Sequence, residues 1–173
     1  MNRNVAAVIF LICWSVAAHA EQRVITGLAS PESAVVGPDG RIYVSETGEY
    51  GKYGDGMIGV VEGDKIVAFA KGLNDPHGLD VWNGALYNAD NRGQIWRIDM
   101  KGEVKLIVDS TGFPRKITNF NDIEIDENGI LYISDSGDWE GGGGAIFRVT
   151  QDGKVTTILT YEEAVQLVVP TVC

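Results

Sequence analysis

The sequence predicts an all-β protein, a β-propeller represented by three four-stranded antiparallel blades. Three observations carry this. One pattern recurs as SPESAVVGPDGRIYVSE (30–46), DPHGLDVWNGALYNAD (75–90) and NFNDIEIDENGILYISD (119–135), with its tyrosines at Tyr43, Tyr87 and Tyr132, 44 and then 45 residues apart. Each copy runs on into a second recurring pair of segments, MIGVVEGDKIVAFA, QIWRIDMKGEVKLIV and AIFRVTQDGKVTTIL, that alternate apolar and polar residues at the period of a half-buried strand. The joints Pro38-Asp39-Gly40, Asn83-Gly84, Asn128-Gly129, Lys101-Gly102 and Asp152-Gly153 have tight-turn chemistry. An antiparallel sandwich shares the alternation but does not repeat at this spacing.

The elements follow in order. Residues 1–20 read as a secretory signal peptide: a weakly basic start at Arg3, an apolar stretch over Val5–Val16, and Ala18-His19-Ala20 as the cleavage site. That stretch is shorter than the roughly 20 residues a membrane span needs. The mature chain is therefore expected to begin at Glu21, to be secreted or periplasmic, and to have no membrane association after cleavage. Residues 21–27 resemble an outer strand and are expected to serve as a ring-closing strand. Blade 1 covers 28–72, with strands over Ser33–Gly37, Arg41–Glu46, Met57–Val61 and Lys65–Lys71. Blade 2 covers 73–113, with strands over Gly78–Trp82, Ala85–Asp90, Gln94–Asp99 and Glu103–Val108. Blade 3 covers 114–160, with strands over Asp122–Asp126, Ile130–Asp135, Ala145–Thr150 and Lys154–Leu159. Residues 161–173 form a tail too short for another blade.

Composition limits the partners. Lys and Arg number 14 against 24 Asp and Glu, a formal charge of −10. Such a surface repels phosphates, so no nucleic acid is expected, and it suits a divalent cation or a neutral small molecule. The two cysteines, Cys13 and Cys173, lie in the signal and at the last residue, which leaves no internal disulfide in the mature chain.

Loop lengths point to the functional face. From the second strand to the third, Tyr43 to Ile58 is 15 residues, Tyr87 to Ile95 is 8 and Tyr132 to Ile146 is 14, while the turns on the opposite face barely vary. Variable loops on a rigid scaffold are where binding usually sits. On that face Glu32, His77 and Asn121 occupy the same slot just before the first strand of each blade, so all three are expected to point at the central axis. Each is a competent oxygen or nitrogen ligand. Glu46, Asp90 and Asp135 end the second strands there. They either bond the neighbouring backbone or orient the axial residues. Tyr50, Tyr53 and Trp139 are candidates for an aromatic rim. Gly141–Gly144 is no phosphate cradle, since no Gly-Lys-Ser/Thr follows, and is expected to be a flexible connection.

At Ser30-Pro31-Glu32-Ser33, and at Phe120-Asn121-Asp122 followed by a strand and a glycine turn, the chain resembles the senescence marker protein/gluconolactonase family over residues 28–160. The resemblance implies a six-bladed propeller, a lactone hydrolase with a sugar lactone as substrate, and a divalent metal ion, calcium or zinc, in the channel. It implies that Glu32 binds the metal and that Asn121 lies over it and contacts substrate or its water. His77 joins them as a substrate-binding candidate from its slot. The family's remaining ligands come from later blades, so the site in this chain is expected to be incomplete and inactive alone. The missing half would be supplied in cis or in trans. A non-catalytic propeller that binds a ligand or protein is the alternative. A quinone-dependent sugar dehydrogenase, for which only Arg92 and Arg115 lie near the face, is a third reading.

Overall fold

The computed structural model describes residues 24–138, 140 and 142–168, with side chains as far as 164. The expected signal peptide and its cleavage site, Trp139, and the end of the tail lie outside the described residues. The strands are β1 (Pro31–Val36), β2 (Ile42–Glu46), β3 (Gly56–Glu62), β4 (Lys65–Leu73), β5 (Pro76–Trp82), β6 (Ala85–Asp90), β7 (Gln94–Ile98), β8 (Val104–Val108), β9 (Phe120–Ile125), β10 (Leu131–Asp135), β11 (Ala145–Val149) and β12 (Val155–Thr160). They form three antiparallel sheets of four, each in sequence order: β1 to β4, β5 to β8, and β9 to β12. The first strands meet across the blades, with β5 packed between β1 and β9. The expected blades are therefore present, with their innermost strands gathered together.

The period of two along β6 explains the packing. Ala85, Tyr87 and Ala89 project into a core shared with the third blade, alongside Ile95, Phe120, Ile133 and Phe147. Leu86 projects the other way, into a core with Tyr43, Ile58, Leu73, Leu79 and Ile98. Every residue of β6 is buried, because blade 2 is covered on both faces. In β1, by contrast, the residues alternate between half-buried and exposed. Between blades 2 and 3, Phe113, Phe120 and Phe147 pack edge to face with centroids 4.9 to 6.2 Å apart. That arrangement adds roughly 0.5–1.5 kcal/mol per pair beyond the burial of the rings. Tyr43 and Tyr87 of the repeat are fully buried, whereas Tyr132, on the blade with no described successor, is half-buried.

Three features differ from expectation. The first strands begin two residues early, at Pro31, Pro76 and Phe120, so Glu32, His77 and Asn121 lie inside strands and not ahead of them. Pairing slips at those points: Pro31 faces Glu46 but Ser33 faces Ser45, Pro76 faces Asp90 but Leu79 faces Asn88, and Phe120 faces Asp135 but Ile123 faces Ile133. Each slip is a β-bulge, with two residues opposite one, and it interrupts the alternation that marks a strand in sequence. Second, Val24–Gly27 form no strand, since no neighbouring ladder pairs with them, and residues 21–23 of the expected ring-closing strand lie outside the described residues. Third, the tail opens with helix α1 (Tyr161–Val168). Thr160 and Glu163 make its capping box: the Glu163 amide donates to Thr160 Oγ1 at 3.3 Å and the Thr160 amide donates to Glu163 Oε2 at 2.8 Å.

The connection expected to be flexible is closed by Asp138. Its Oδ1 accepts the Glu140 and Gly142 amides at 3.0 and 2.8 Å, while its own amide donates to the Gly142 carbonyl at 2.8 Å. Gly141 itself is outside the described residues. No helix among the described residues is long and apolar enough to cross a membrane.

Candidate functional site

The three bulges deliver their residues to one place. Glu32, His77 and Asn121 line a single cavity of about 330 Å³ together with Tyr50, Asn91 and Asn119. A bulge turns a side chain out of the pleat, and here it turns one per blade toward the common axis. Glu32 and Asn121 are exposed, while His77 is largely buried in the wall. Two hydroxyls repair the ladder at the bulge. Ser45 Oγ accepts the Ser33 amide and Ser134 Oγ accepts the Asp122 amide, each at 3.0 Å. Ser45 Oγ also donates to the His77 carbonyl at 2.6 Å, which ties the first two bulges together across the blades.

The acids ending the second strands do not face the cavity. They bond the backbone that enters each bulge. Glu46 Oε2 accepts the Ala29 amide at 2.6 Å. Asp90 accepts the Asn74, Asp75 and Arg92 amides at 3.0, 3.2 and 3.0 Å. Asp135 accepts those of Thr118, Asn119 and Gly137 at 3.0, 2.9 and 3.0 Å. The amide of the next residue completes the clamp: Thr47, Asn91 and Ser136 donate to the carbonyls of Ser30, Asp75 and Asn119. These carboxylates therefore position the site through the main chain, three times in the same way.

Asn91 and Asn119 were not singled out from the sequence. Asn91 Nδ2 donates to Asn119 Oδ1 and lies 3.5 Å from His77 Nε2, so the two amides and the imidazole form one polar wall. The available signal was positional: Asn91 follows the strand-ending Asp90, and Asn119 stands two residues before Asn121. The resulting site is one carboxylate set among neutral amides and an imidazole, a lining that suits a small polar ligand.

A second cavity of about 640 Å³ adjoins the first and shares Tyr50 and Asn91 with it. The long loop between β2 and β3, one of the variable loops, and the segment between β8 and β9 enclose it. Tyr53 also lines it, so two of the three rim aromatics are placed at the site; Trp139 is outside the described residues. Arg92 Nε pairs with the buried Asp75 Oδ2 at 2.7 Å, and its guanidinium lies 4.7 Å from the centre of the Tyr53 ring. Arg115 lies 3.9 Å from Glu162. Both arginines considered for a quinone-type site thus have carboxylate partners of their own. At the edge of the cavity, hydrogen bonds from the Thr111 hydroxyl and amide hold the Asp109 carboxyl below its usual range.

No protein-family model and no curated protein sequence matches this chain. Solved structures do. A calcium-binding protein, regucalcin, from Agrobacterium tumefaciens superposes with a TM-score of 0.55 at 19% identity, covering 75% of this chain and 44% of that one. The chain belongs to the β-propeller fold. A protein from Thermus thermophilus, provisionally assigned as an oxidoreductase of glucose dehydrogenase type, gives a TM-score of 0.58 at 19% identity over 77% of this chain and 47% of that one. A protein provisionally assigned as a gluconolactonase gives 0.54 at 17% identity over 80% and 51%. At these identities the likeness shows the fold. This chain spans about half the length of each.

Proposed function

We propose that this chain contributes the first half of the channel of an exported, lactonase-type hydrolase that acts on a small sugar lactone with the help of a divalent ion. The single observation that carries the reading is the convergence of Glu32, His77 and Asn121 from three successive bulges onto one cavity. Glu32 and Asn121 offer hard oxygen donors of the kind calcium takes, with roughly 6–8 needed for a full shell. Among the described residues no three His, Cys, Asp or Glu side chains are grouped to hold a metal, which suits zinc poorly. The donors therefore fit part of a calcium shell, with the rest drawn from a further propeller half in cis or in trans.

When bound, such an ion supplies positive charge that polarises the ester carbonyl. Glu32 contributes the negative charge that holds it. The amides of Asn119 and Asn121 orient the ring oxygens and hydroxyls of the lactone. His77, fixed in the wall through its carbonyl, contacts a substrate hydroxyl. A non-catalytic ligand-binding propeller is the second reading, favoured by the single carboxylate in the cavity.

The test is calorimetry with calcium, zinc and manganese on the chain, followed by a lactone-opening assay. Calcium is expected to bind more weakly than micromolar, and more weakly still in Glu32→Gln. Lactone opening is expected once the other propeller half is present, and to depend on a divalent ion. Ion-independent opening, or unchanged calcium affinity in Glu32→Gln, would overturn the reading. Divalent-ion binding with no turnover in the completed ring would establish the binder instead.

A further inference from the structure

The geometry points to the larger cavity as a second subsite, one that takes a neutral pyranose unit joined to the ligand in the axial cavity. The inference rests on the hydrolase reading above for the lactone ring, and on the cavity's own chemistry for the appended sugar. The two cavities share Tyr50 and Asn91, so a ligand seated among Glu32, His77 and Asn121 has a wall in common with the second space. A simple aldonolactone fills the smaller cavity and leaves the larger to water. Both volumes lie within the ~300–1,000 Å³ of ordinary ligand pockets.

The lining selects the chemistry. Tyr50 and Tyr53 remain 66% and 71% exposed, an unusual state for two rings in one concave wall. Tyr53 is held in place on one side by the Arg92 guanidinium at 4.7 Å, which Asp75, only 1% exposed, anchors in turn. A cation over a ring face is worth roughly 0.5–1 kcal/mol at exposed sites, and here it fixes the platform before any ligand arrives. The C–H face of a pyranose packs against such a ring while its hydroxyls turn to polar neighbours. Asn74 and Gln94, joined by an Nδ2-to-Oε1 bond of 2.7 Å, supply amide groups for them in the same lining.

The balance of charge does not favour an ionic ligand. Asp75 already neutralises Arg92, and Lys116 and Asp109 line the same cavity with opposite signs. With Asp75 on Arg92, the charges at the wall sum to zero, which gives the cavity as a whole no preference for a carboxylate, a phosphate or an ammonium group. A neutral polyol meets every feature of the wall.

Three probes test this on the full chain: glucono-1,5-lactone, cellobiono-1,5-lactone, which carries a glucosyl group, and methyl β-cellobioside, which has no lactone. The cellobiose-derived lactone is expected to bind at least roughly tenfold tighter than gluconolactone, by calorimetry or ligand-observed NMR. Tyr53→Ala should erase that preference and leave gluconolactone unchanged, while Tyr53→Phe, which keeps the ring, should retain it. Tyr53 is exposed, so the replacement spares the core; a thermal melt confirms that each variant is folded. Tyr53-dependent binding of methyl β-cellobioside with no lactone preference would keep the subsite and sink the lactone reading. Equal affinity for the two lactones, or a preference that survives Tyr53→Ala, would overturn the subsite itself.

Discussion

Asp90→Ala should cost about 3–5 kcal/mol of stability, the size expected when a buried hydrogen-bonded carboxylate is removed. The carboxylate is fully buried and accepts three backbone amides, those of Asn74, Asp75 and Arg92. Alanine leaves these donors around a hole, at about 1–3 kcal/mol for each one that finds no water. The two equivalent acids grade the effect. Asp135→Ala, which also orphans three amides, should fall close behind, and Glu46→Ala, which releases the Ala29 amide, should cost least. Urea unfolding measures it: with a slope of about 1–3 kcal/mol/M, the midpoint for Asp90→Ala should drop by roughly 1–5 M. A loss under about 1 kcal/mol would mean that water restores the clamp at little cost. The same variant should weaken ligand binding, because the freed segment leads directly into the bulge that carries His77.

Gly78→Ala is expected to be nearly as damaging, for a different reason. A Cβ there would lie 2.6 Å from Asp122 Cα, 2.7 Å from the Ile123 nitrogen and 2.8 Å from the Asp122 carbonyl carbon. These are backbone atoms of the next blade, which cannot swing aside as a side chain would. Gly78 is not in the left-handed region, so the contact alone decides the outcome. Overpacking usually costs about 1–3 kcal/mol; against an immovable strand we expect the upper end of that range or slightly more. The residues that must separate adjoin His77 and Asn121, so the axial cavity should widen with them. Differential scanning calorimetry should show a melting temperature lower by several degrees. An unchanged melting temperature would show that the blades slide apart freely.

These two sites mark the boundary of what the sequence makes legible. The blades were readable because the repeat, the strand alternation and the Asn-Gly and Asp-Gly turns all report local geometry. The face of the site was readable because loop length varies there. The bulges were not: an inserted residue breaks the period of two, so Pro31-Glu32, Pro76-His77 and Phe120-Asn121 look like loop ahead of a strand. Asn91 and Asn119 escaped notice because small polar residues fill the corresponding positions in other blades. Thr160 and Glu163 spell a capping box, but the helix they start is only eight residues long, too short for its period to stand out. The shared volume behind Tyr50 depends on how two loops fold over each other, which no local pattern encodes.

The burial of β6 on both faces also orders the protein in time. Every strand pairs with its neighbour in sequence, and each core lies between consecutive blades. Opening can then proceed inward from either end, as in a short one-dimensional array. Amide protons on β1 and β12 should exchange with solvent through cheap local fluctuations. Those on β6 should exchange only when both interfaces are lost at once, so their protection reports the global unfolding free energy. His77 and the Asp90 clamp sit in that slowest-exchanging unit, whereas Glu32 and Asn121 ride on blades that open earlier. Fluctuations that leave the centre intact would thus admit or release a ligand by moving the flanking donors alone.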